Sequence, residues 1–340
     1  MSTAPTHSTP STLLDVARLA GVSPSTVSRI LNGTAKVSDD KRLAVQAAIE
    51  KMNFAPNQMA QGLKKGRSMT IGIVVQDISS PFFDETLRGV DDALKGTGFA
   101  SVIVSGHWNA EEEVERIRLL LARKVDGIIL LSGRIGDEDI LRYAGQRPIV
   151  STGRHLNTGS ALGFKLDNEQ GAYLAVHHLL EQGHRGIAFI TGPAENNDGA
   201  ERLAGYSRAL TEAGIAVDMN LVVEGDFHEA GGMMAMERLF DTNQQFTAVF
   251  CANDLSAYGA RLCLYRKGIR VPDDISLIGF DDLPGSAYTT PPLTTIRQPL
   301  YDMGRIATKA LLRLIDGQIV TEDIPPLELV VRETTRSLRP

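Results

Sequence analysis

Residues 13–33 read "LLDVARLAGVSPSTVSRILNG", and this stretch decides the fold of the amino-terminal part of the chain. Small apolar residues recur there at the spacing of one helix face, namely Leu13, Val16, Ala17 and Ala20. Thr12 is a suitable N-cap, and Gly21 can adopt the left-handed conformation that ends a helix. The sequence therefore predicts a short amphipathic helix that stops at a glycine turn.

A second helix is predicted after Ser23, because serine caps helices well and Pro24 suits the first helical position. A third helix is predicted after Ser38. The apolar positions of these two helices that should point inward are Val27, Ile30, Leu31, Val45, Ala48, Ile49 and Met52. A turn this short makes the first two helices cross steeply, which is the geometry of a helix-turn-helix.

The other face of the second helix carries Ser25, Ser28, Arg29 and Asn32. Hydroxyl, amide and guanidinium groups can bond to phosphates and base edges, whereas carboxylates would be repelled by DNA. Residues 1–67 have a formal charge of +5 and the remaining residues a charge of −11. A basic head on an acidic body predicts that the head binds double-stranded DNA.

Residues 53–70, "NFAPNQMAQGLKKGRSMT", connect the head to the rest of the chain. Pro56 should stop the third helix, and a short new helix is predicted from Asn57 to about Lys64. Such a helix is too short to be stable alone. Two interpretations remain open: an ordinary linker, or a hinge that folds only with DNA and a partner subunit. In the second case Leu63 would insert between base steps of the minor groove.

From residue 70 onward, short apolar runs alternate with amphipathic helical stretches. The runs predicted as buried parallel strands are "TIGIVV", "FASVIVS", "VDGIILL", "RPIVST", "GIAFIT", "LVVEG", "FTAVFC" and "DISLIGF". The predicted helices lie near 83–96, 111–124, 168–182, 200–213, 229–241 and 254–267. This alternation predicts a doubly wound α/β architecture in two lobes. Chain crossings are predicted near 165, 296 and 326, and the stretch beginning "PPLTTIRQPL" should return to the first lobe.

Polar and aromatic residues follow nearly every predicted strand, and ligands of open parallel sheets bind at those carboxyl ends. These residues include Asp77, Phe82, Phe83, His107, Trp108, Asn109, Arg154, Phe227, Asn253, Asp254, Asp281 and Asp282. Arg202 begins a helix, and Gln298 lies at a crossover. Aromatic faces and polar groups together suit a neutral polyol. For single residues a structural role is equally plausible: Asn253 or Asp254 could cap a helix, and Trp108 could pack at a lobe edge.

The quoted head, followed by "KVSDDKRLAVQAAIEKMNFAPNQMAQGLKKGRSMTIGIVV", resembles the LacI/GalR family of bacterial transcription regulators, and the resemblance spans residues 12 to about 335. It implies a homodimer on a pseudo-palindromic operator, with recognition helices in successive major grooves and paired hinge helices in the minor groove. By this resemblance, the positions expected to read bases are Pro24, Ser25 and Arg29. The phosphate positions are Thr12, Ser23, Thr26, Ser28 and Asn32, and the hinge positions are Asn57, Ala60 and Leu63.

For the body, the resemblance implies a type I periplasmic-binding-protein-like fold with a sugar or related effector between the lobes. The ligand positions carried over are Phe83, Arg154, Arg202, Phe227, Asn253, Asp281 and Gln298, to which we add Asp77. Two departures leave the identity and size of the sugar open. Gly153 stands where many relatives have Asp, and Ser80 stands where Asn is frequent.

The predicted domains are a disordered tail (1–11), a helix-turn-helix domain (12–56), a hinge and linker (57–69), and an effector-binding and dimerisation body (70–335). Within the body, lobe 1 covers about 70–165 and 297–325, and lobe 2 about 166–296 and 326–335. The chain shows no signal peptide and no apolar run of membrane-spanning length, which favours a cytoplasmic protein. Residues 332–340 contain no leucine heptads, so a dimer is expected rather than a tail-assembled tetramer.

No nucleophile elbow, zinc motif, Walker loop or dinucleotide fingerprint occurs, so neither an enzyme nor a cofactor is predicted. A metal or base role for His177, His178 and His184, near Asp167 and Glu169, remains open. The predicted function is a DNA-binding transcriptional regulator, foremost a repressor, controlled by a carbohydrate-like effector. The alternatives are a corepressor-type regulator that responds to a non-sugar metabolite such as a nucleobase, and a solute-binding receptor without a DNA role.

Overall fold

A computed structural model describes residues 12–31, 37–54, 66–320 and 322–338. The chain divides into two compact units between Met69 and Thr70. The predicted tail, Asn32 and the predicted hinge helix lie outside the described residues.

The first unit contains three helices, α1 (Leu13–Leu19), α2 (Pro24–Leu31) and α3 (Asp39–Lys51). Thr12 caps α1 in a capping box: its hydroxyl accepts from the Asp15 amide, and the Asp15 carboxylate accepts from the Thr12 amide. Gly21 has φ 64°, and the Ser23 hydroxyl accepts from the Thr26 amide. The predicted caps Thr12 and Ser23 and the glycine turn are therefore confirmed, whereas Ser38 precedes α3 and its side chain accepts no capping hydrogen bond. The inward residues of the three helices form one small core centred on Val16, Ala17, Val27, Val45 and Ala48.

The second unit begins with a six-stranded sheet in the order β2-β1-β3-β4-β6-β5. Its strands are β1 (Thr70–Val75), β2 (Ala100–Ser105), β3 (Gly127–Leu130), β4 (Ile149–Thr152), β5 (Leu156–Asn157) and β6 (Ala161–Phe164). Helices α4 (Pro81–Leu94) and α11 (Leu300–Ile315) cover one face; α5 (Ala110–Ala122) and α6 (Asp137–Ala144) cover the other. Gly89 and Gly304 let α4 and α11 touch, because a Cβ on either would lie within 2.0 Å of the other helix's backbone.

A second six-stranded sheet has the order β12-β11-β10-β9-β7-β8. Its strands are β7 (Ile187–Thr191), β8 (Val222–Glu224), β9 (Ala248–Cys251), β10 (Ser276–Asp281), β11 (Thr294–Arg297) and β12 (Glu328–Val330). Helices α7 (Asn168–Glu181) and α8 (Asn197–Glu212) cover one face; α9 (Glu229–Asp241) and α10 (Asp254–Arg266) cover the other. Short 3-10 helices occupy Met219–Leu221 and Pro284–Tyr288. We call the first sheet with its helices lobe 1 and the second lobe 2.

The predicted α/β architecture in two lobes is confirmed, with several corrections to its elements. The prediction that "FASVIVS" and "LVVEG" are buried is wrong: β2 and β8 are edge strands, and their side chains are partly or fully exposed. Helices α6 and α11 and the strands β5, β6, β11 and β12 were not predicted from the sequence. Most of these are too short to show a period, and β5 and β12 pair antiparallel with a neighbour. The return to lobe 1 begins at α11, after β11 has joined the second sheet.

Candidate functional site

The outward surface of α2 presents a linked set of hydroxyl groups. The Ser23 hydroxyl lies 2.8 Å from the Ser25 hydroxyl and 2.8 Å from the Thr26 hydroxyl. The Arg29 Nε donates to the Ser25 carbonyl at 3.3 Å, one turn earlier on the helix. Thr12, Pro24, Ser25 and Arg29 are exposed, whereas Ser28 is half-buried. No acidic residue occurs on α2, so this surface can approach phosphates without repulsion.

A cavity of about 220 Å³ lies between the two lobes of the body. Loops at the carboxyl ends of strands from both sheets supply its walls, where ligands of parallel sheets are expected. Lobe 1 contributes Asp77, Ser80, Phe82, Phe83, Trp108, Ser132 and Arg134. Lobe 2 contributes Pro193, Asn196, Asp198, Arg202, Asp226, Phe227, His228, Asn253, Leu255 and Asp281.

Arg202 is the buried cation of this cavity, with only 4% of its surface exposed. Its Nε donates to the Asn168 side-chain oxygen at 3.0 Å, and its Nη1 donates to the Ala252 carbonyl at 2.5 Å. The guanidinium also lies 3.8 Å from the centroid of the Phe280 ring. These contacts hold the guanidinium rigid, so it can bind a ligand oxygen without first losing side-chain entropy.

Asp281 lies at the end of β10 with φ 115°, a strained conformation for a residue with a side chain. Its carboxylate accepts from the Gln298 amide at 2.6 Å. Burial raises the pKa of Asp281 well above its usual range, although the charge of Arg202 acts in the opposite direction. Beneath it, Asp254 accepts from the hydroxyls of Ser286 and Thr295, each at 2.6 Å, and burial raises its pKa to about 7.

Phe227 forms an aromatic wall of lobe 2. Its φ is 67°, and its carbonyl accepts from the Asn253 side-chain amide at 2.8 Å. The tip of its ring lies directly over Gly192, where a Cβ would lie 2.0 Å from Phe227 Cζ. Asn253 also caps α10 by accepting from the Ser256 amide at 3.0 Å. The capping role and the cavity position of Asn253 therefore coexist in one side chain.

In lobe 1, buried Gln76 connects two of the loops that reach the cavity. Its side-chain oxygen accepts from the Trp108 amide at 3.0 Å, and its side-chain nitrogen donates to the Ser132 carbonyl at 3.3 Å. Buried Glu113 accepts from the backbone amide of Arg134 at 2.9 Å and fixes the next residue of the same loop. The loops that carry Trp108, Ser132 and Arg134 are thus held from below by side chains that never reach the cavity.

The cavity contains carboxyl groups in contrasting states. Hydrogen bonds from the Ser79 hydroxyl and amide lower the pKa of Asp77, which favours an ionised acceptor. Burial raises the pKa of Asp198 and of Asp281, which favours their protonated forms. A carboxylate only accepts hydrogen bonds, whereas a carboxylic acid can also donate. This mixture suits hydroxyl groups, which themselves both donate and accept.

Six of the eight sequence-predicted effector positions line this cavity: Asp77, Phe83, Arg202, Phe227, Asn253 and Asp281. Arg154 instead lines a neighbouring depression of about 590 Å³. There its guanidinium donates to the Ile135 and Gly133 carbonyls and contacts Asp137 at 2.8 Å. Gln298 lies behind the cavity and reaches it only through Asp281.

The cavity is also lined by residues that were not predicted from the sequence, including Arg134, Asn196, Asp198, Asp226 and His228. Asp226 and His228 flank Phe227 in the loop after β8, so their proximity in sequence was a usable signal. Asn196 and Asp198 lie at the start of α8, where polar residues are equally common as helix caps. Arg134 follows β3, and nothing in the sequence separated it from ordinary loop residues.

The three histidines considered for a metal or base role make structural contacts. His178 shares a hydrogen bond with the Thr335 hydroxyl at 2.9 Å, and His184 contacts both the Thr247 hydroxyl and the Arg336 carbonyl. His177 stacks on Tyr173. Across the described ranges, no group of three or more metal-ligating side chains is positioned to hold an ion.

No helix among residues 12–31, 37–54, 66–320 and 322–338 is long and apolar enough to cross a membrane.

Two family models match the chain. "Bacterial regulatory proteins, lacI family" matches residues 12–57, and "Periplasmic binding protein-like domain" matches residues 176–335.

Full-length relatives match as well. The HTH-type transcriptional regulator GalR of Escherichia coli K12 is 39% identical over 312 residues, which cover 92% of this chain and 91% of GalR. The HTH-type transcriptional repressor CytR of the same strain is 37% identical over 97% of this chain and 98% of CytR.

Two solved structures are similar along nearly their whole length. The lac repressor dimer bound to operator and the anti-inducer ONPF has a TM-score of 0.85 at 30% identity, covering 97% of this chain and 100% of that one. The transcriptional regulator CelR–cellobiose complex has a TM-score of 0.71 at 36% identity, covering 95% and 99%. The chain therefore belongs to the lacI family of bacterial regulatory proteins and is a transcriptional regulator.

Proposed function

We propose that this regulator is a cytoplasmic homodimeric repressor whose affinity for an operator is set by a small carbohydrate-like effector bound between the lobes. The observation that carries the proposal is the cavity itself. Both lobes supply its walls, and it combines aromatic rings with buried, rigidly held polar groups in the same chain as a helix-turn-helix. The proposed role is regulatory binding without catalysis.

For DNA binding, α2 is the proposed recognition helix. Ser25 and Arg29 are exposed and would read base edges, while Thr12, Ser23, Thr26 and Ser28 would contact phosphates. Pro24 has no donor to contribute. The regions proposed for this function remain the helix-turn-helix domain (12–56) and the hinge (57–69), with Asn32, Asn57, Ala60 and Leu63 as proposed contacts. In a dimer, two copies of α2 would enter major grooves about 34 Å apart.

Dimerisation is supported by an apolar surface on lobe 2. Leu262 and Tyr265 on α10 are 43% and 79% exposed and, with Val271 and Pro291, line an open depression whose remaining lining includes Arg261 and Arg270. A contiguous exposed apolar surface is typical of an interaction site. A second copy of the chain would cover it, as a symmetric operator requires.

For the effector, the cavity favours a polyol because its rings can cover C–H faces while its carboxyl groups bind hydroxyls. Asp77, Phe83, Arg202, Phe227, Asn253 and Asp281 are the proposed direct contacts, and Gln298 positions Asp281. Arg154 is proposed to bind only a ligand that extends into the neighbouring depression. The aromatic walls Phe82, Phe83, Trp108 and Phe227 also fit a flat nucleobase, which is the second candidate.

A thermal-shift screen tests the effector class, because a ligand selective for the folded state raises the melting temperature. The panel contains monosaccharides, disaccharides, polyols, sugar acids, nucleobases and nucleosides. We expect a sugar or polyol to stabilise the protein and to change the fluorescence of Trp108, the single tryptophan of the chain. Stabilisation by a nucleobase alone would replace the carbohydrate proposal with the second candidate. No response from any compound would contradict both.

Variants then locate the site. Arg202→Met should abolish the response, because it removes the buried guanidinium from the cavity. Arg208→Met is the matched control: Arg208 lies on the same helix but pairs with Glu169 outside the cavity. Equal responses from both variants would place the effector elsewhere.

DNA binding is tested by selecting duplexes from a random library with the full chain. Wild type should enrich a pseudo-palindrome. Arg29→Gln should relax its sequence, whereas Arg18→Gln on α1, where Arg18 pairs with Asp15, should not. Failure of wild type to enrich any sequence would refute the operator-binding proposal.

A further inference from the structure

Lobe 1 carries a concentration of positive charge that the functions proposed above do not use. Four exposed cations surround the end of α5 and the loops before β3 and β4: Arg118, Arg123, Lys124 and Arg147. We call this set the basic edge. None of the four forms an ion pair with an acid among the described residues. They lie in a body whose net charge is −11.

The basic edge lies at the amino ends of the lobe 1 strands. The Asp126 amide donates to the Thr70 carbonyl at 2.8 Å, which joins the loop of Arg123 and Lys124 to the first residue of β1. The Arg147 Nε donates to the Val125 carbonyl at 3.1 Å, which joins the loop before β4 to the loop before β3. The cations therefore cluster at one location, opposite the carboxyl ends that form the effector cavity.

Two acids lie near this edge in the sequence, Glu115 on α5 and Asp126 after it, and among the described residues neither forms an ion pair with the four cations. Asp126 is buried, with 5% of its surface exposed. The acidic first turn of α6, Asp137–Asp139, lies at the far end of that helix, and Asp139 pairs with Arg142. Cations often occur at helix C-termini because of the helix dipole. That preference accounts for Arg123, the C-cap of α5, but Arg118 lies before the last turn of that helix and Arg147 lies in a loop beyond α6.

We propose that the basic edge binds the phosphate backbone of DNA that flanks the operator. The inference rests on the proposed operator binding. Thr70 is the first residue of the body after the DNA-binding unit, so the chain that leads to that unit leaves the body at this edge. Exposed cations without acidic partners are what a polyanion requires, and they need not read sequence. Flanking DNA would thus add affinity that does not depend on base identity.

The test compares two duplexes that carry the pseudo-palindrome selected by wild type. One duplex ends at the palindrome, and the other extends it by one helical turn of arbitrary sequence on each side. The variant is Arg118→Gln/Arg123→Gln/Lys124→Asn. Asparagine is used at Lys124 because that residue has φ 59°, which asparagine tolerates well. Arg147 is left unchanged because its guanidinium donates a hydrogen bond to the Val125 carbonyl.

The matched control is Arg185→Gln/Arg238→Gln/Arg336→Gln, which avoids the proposed dimerisation surface around Tyr265. It removes the same charge from exposed positions of lobe 2, away from Thr70. Melting temperature and the Trp108 fluorescence response to effector verify that both variants are folded.

Log affinity falls as log salt concentration rises, and each lost phosphate contact makes that negative slope shallower by about 0.9. The homodimer would lose three contacts on each side, six in all, so the affinity change between about 50 and 200 mM salt on the extended duplex should shrink by up to roughly 2,000-fold. The trimmed duplex should show no such difference, and the control should match wild type on both.

Equal slopes for all three proteins on the extended duplex would overturn the proposal and would direct attention to an acidic protein as the partner. A loss that is the same on both duplexes would also overturn it, because flanking DNA would then not be involved. Failure of wild type to bind either duplex would instead refute the operator-binding proposal on which this inference rests.

Discussion

Gly192 should be required for the shape of the effector cavity, although it contributes no side chain to it. A Cβ at this position would lie 2.0 Å from Phe227 Cζ and 2.5 Å from Phe227 Cε2. Carbon atoms approach each other to about 3.5–4.0 Å, so in Gly192→Ala the ring must retreat by roughly 1.5–2 Å. The Phe227 backbone cannot follow easily, because the Asn253 amide holds its carbonyl at 2.8 Å.

Two measurable consequences follow from that displacement. Overpacking of this kind costs about 1–3 kcal/mol of folding stability. Loss of one aromatic face against a ligand costs about 0.5–1.5 kcal/mol, which weakens effector affinity by roughly 2- to 13-fold. Urea denaturation measures the first quantity without any ligand. Titration of Trp108 fluorescence with the compound found in the thermal screen measures the second.

A second substitution tests whether steric overlap with the Phe227 ring causes the effects of Gly192→Ala. Phe227→Leu shortens the side chain at the point of overlap, so Gly192→Ala/Phe227→Leu should be more stable than the sum of the single effects predicts. Gly159→Ala is the control, because no atom lies within 4 Å of its added Cβ and its φ is not positive. Wild-type stability and affinity in Gly192→Ala, or strictly additive effects in the double variant, would refute the reasoning.

Three further outcomes are expected. Arg29→Ala should lower operator selectivity by about 1–3 kcal/mol per half-site in competition binding while effector affinity stays unchanged; unchanged selectivity would remove Arg29 from the reading surface. Burial lowers the pKa of His178 and His184 in the folded state, so unfolding free energy should fall as pH drops below about 6.5, and His184→Gln should flatten that dependence. Glu195→Gln removes an exposed ion pair with Arg134 across the lobes at 3.4 Å, so stability should change by less than about 1 kcal/mol while effector affinity weakens up to fivefold; unchanged affinity would exclude that pair from cavity closure.

The sequence predicted the parts of the molecule whose signals are local. Caps, glycine turns and helix faces depend on a few neighbouring residues, and Thr12, Gly21 and Ser23 behave as their types suggest. Central strands were also visible, because burial on both faces leaves continuous apolar runs such as Thr70–Val75. Edge strands can contain the same run of apolar residues while their side chains are partly exposed. The sequence of β2 therefore could not be distinguished from that of its buried neighbours.

The cavity was less predictable, because two of its properties arise only from tertiary contacts. Arg154 and Arg202 were both predicted as effector contacts, and only Arg202 lines the cavity between the lobes. Asp137 and two loop carbonyls hold the Arg154 guanidinium in the neighbouring depression. Asp281 looks like any loop carboxylate in sequence. Its raised pKa comes from burial beside Asp254, which lies on a different element. Strand-end position predicts which residues come near a cavity but does not predict which of them face it.

Regulation by this cavity requires that the effector bind one arrangement of the lobes more tightly than another. The walls fit that requirement, because Phe83 and Trp108 come from lobe 1 whereas Arg202 and Phe227 come from lobe 2. A ligand that touches only one lobe would bind equally well however the lobes were arranged and would shift nothing. A ligand that spans both lobes gains its full set of contacts in one arrangement only. A coupling free energy of 1–3 kcal/mol between effector and operator binding corresponds to roughly a 5- to 150-fold change in operator affinity. Compounds too small to reach both Phe83 and Phe227 should therefore bind without regulating.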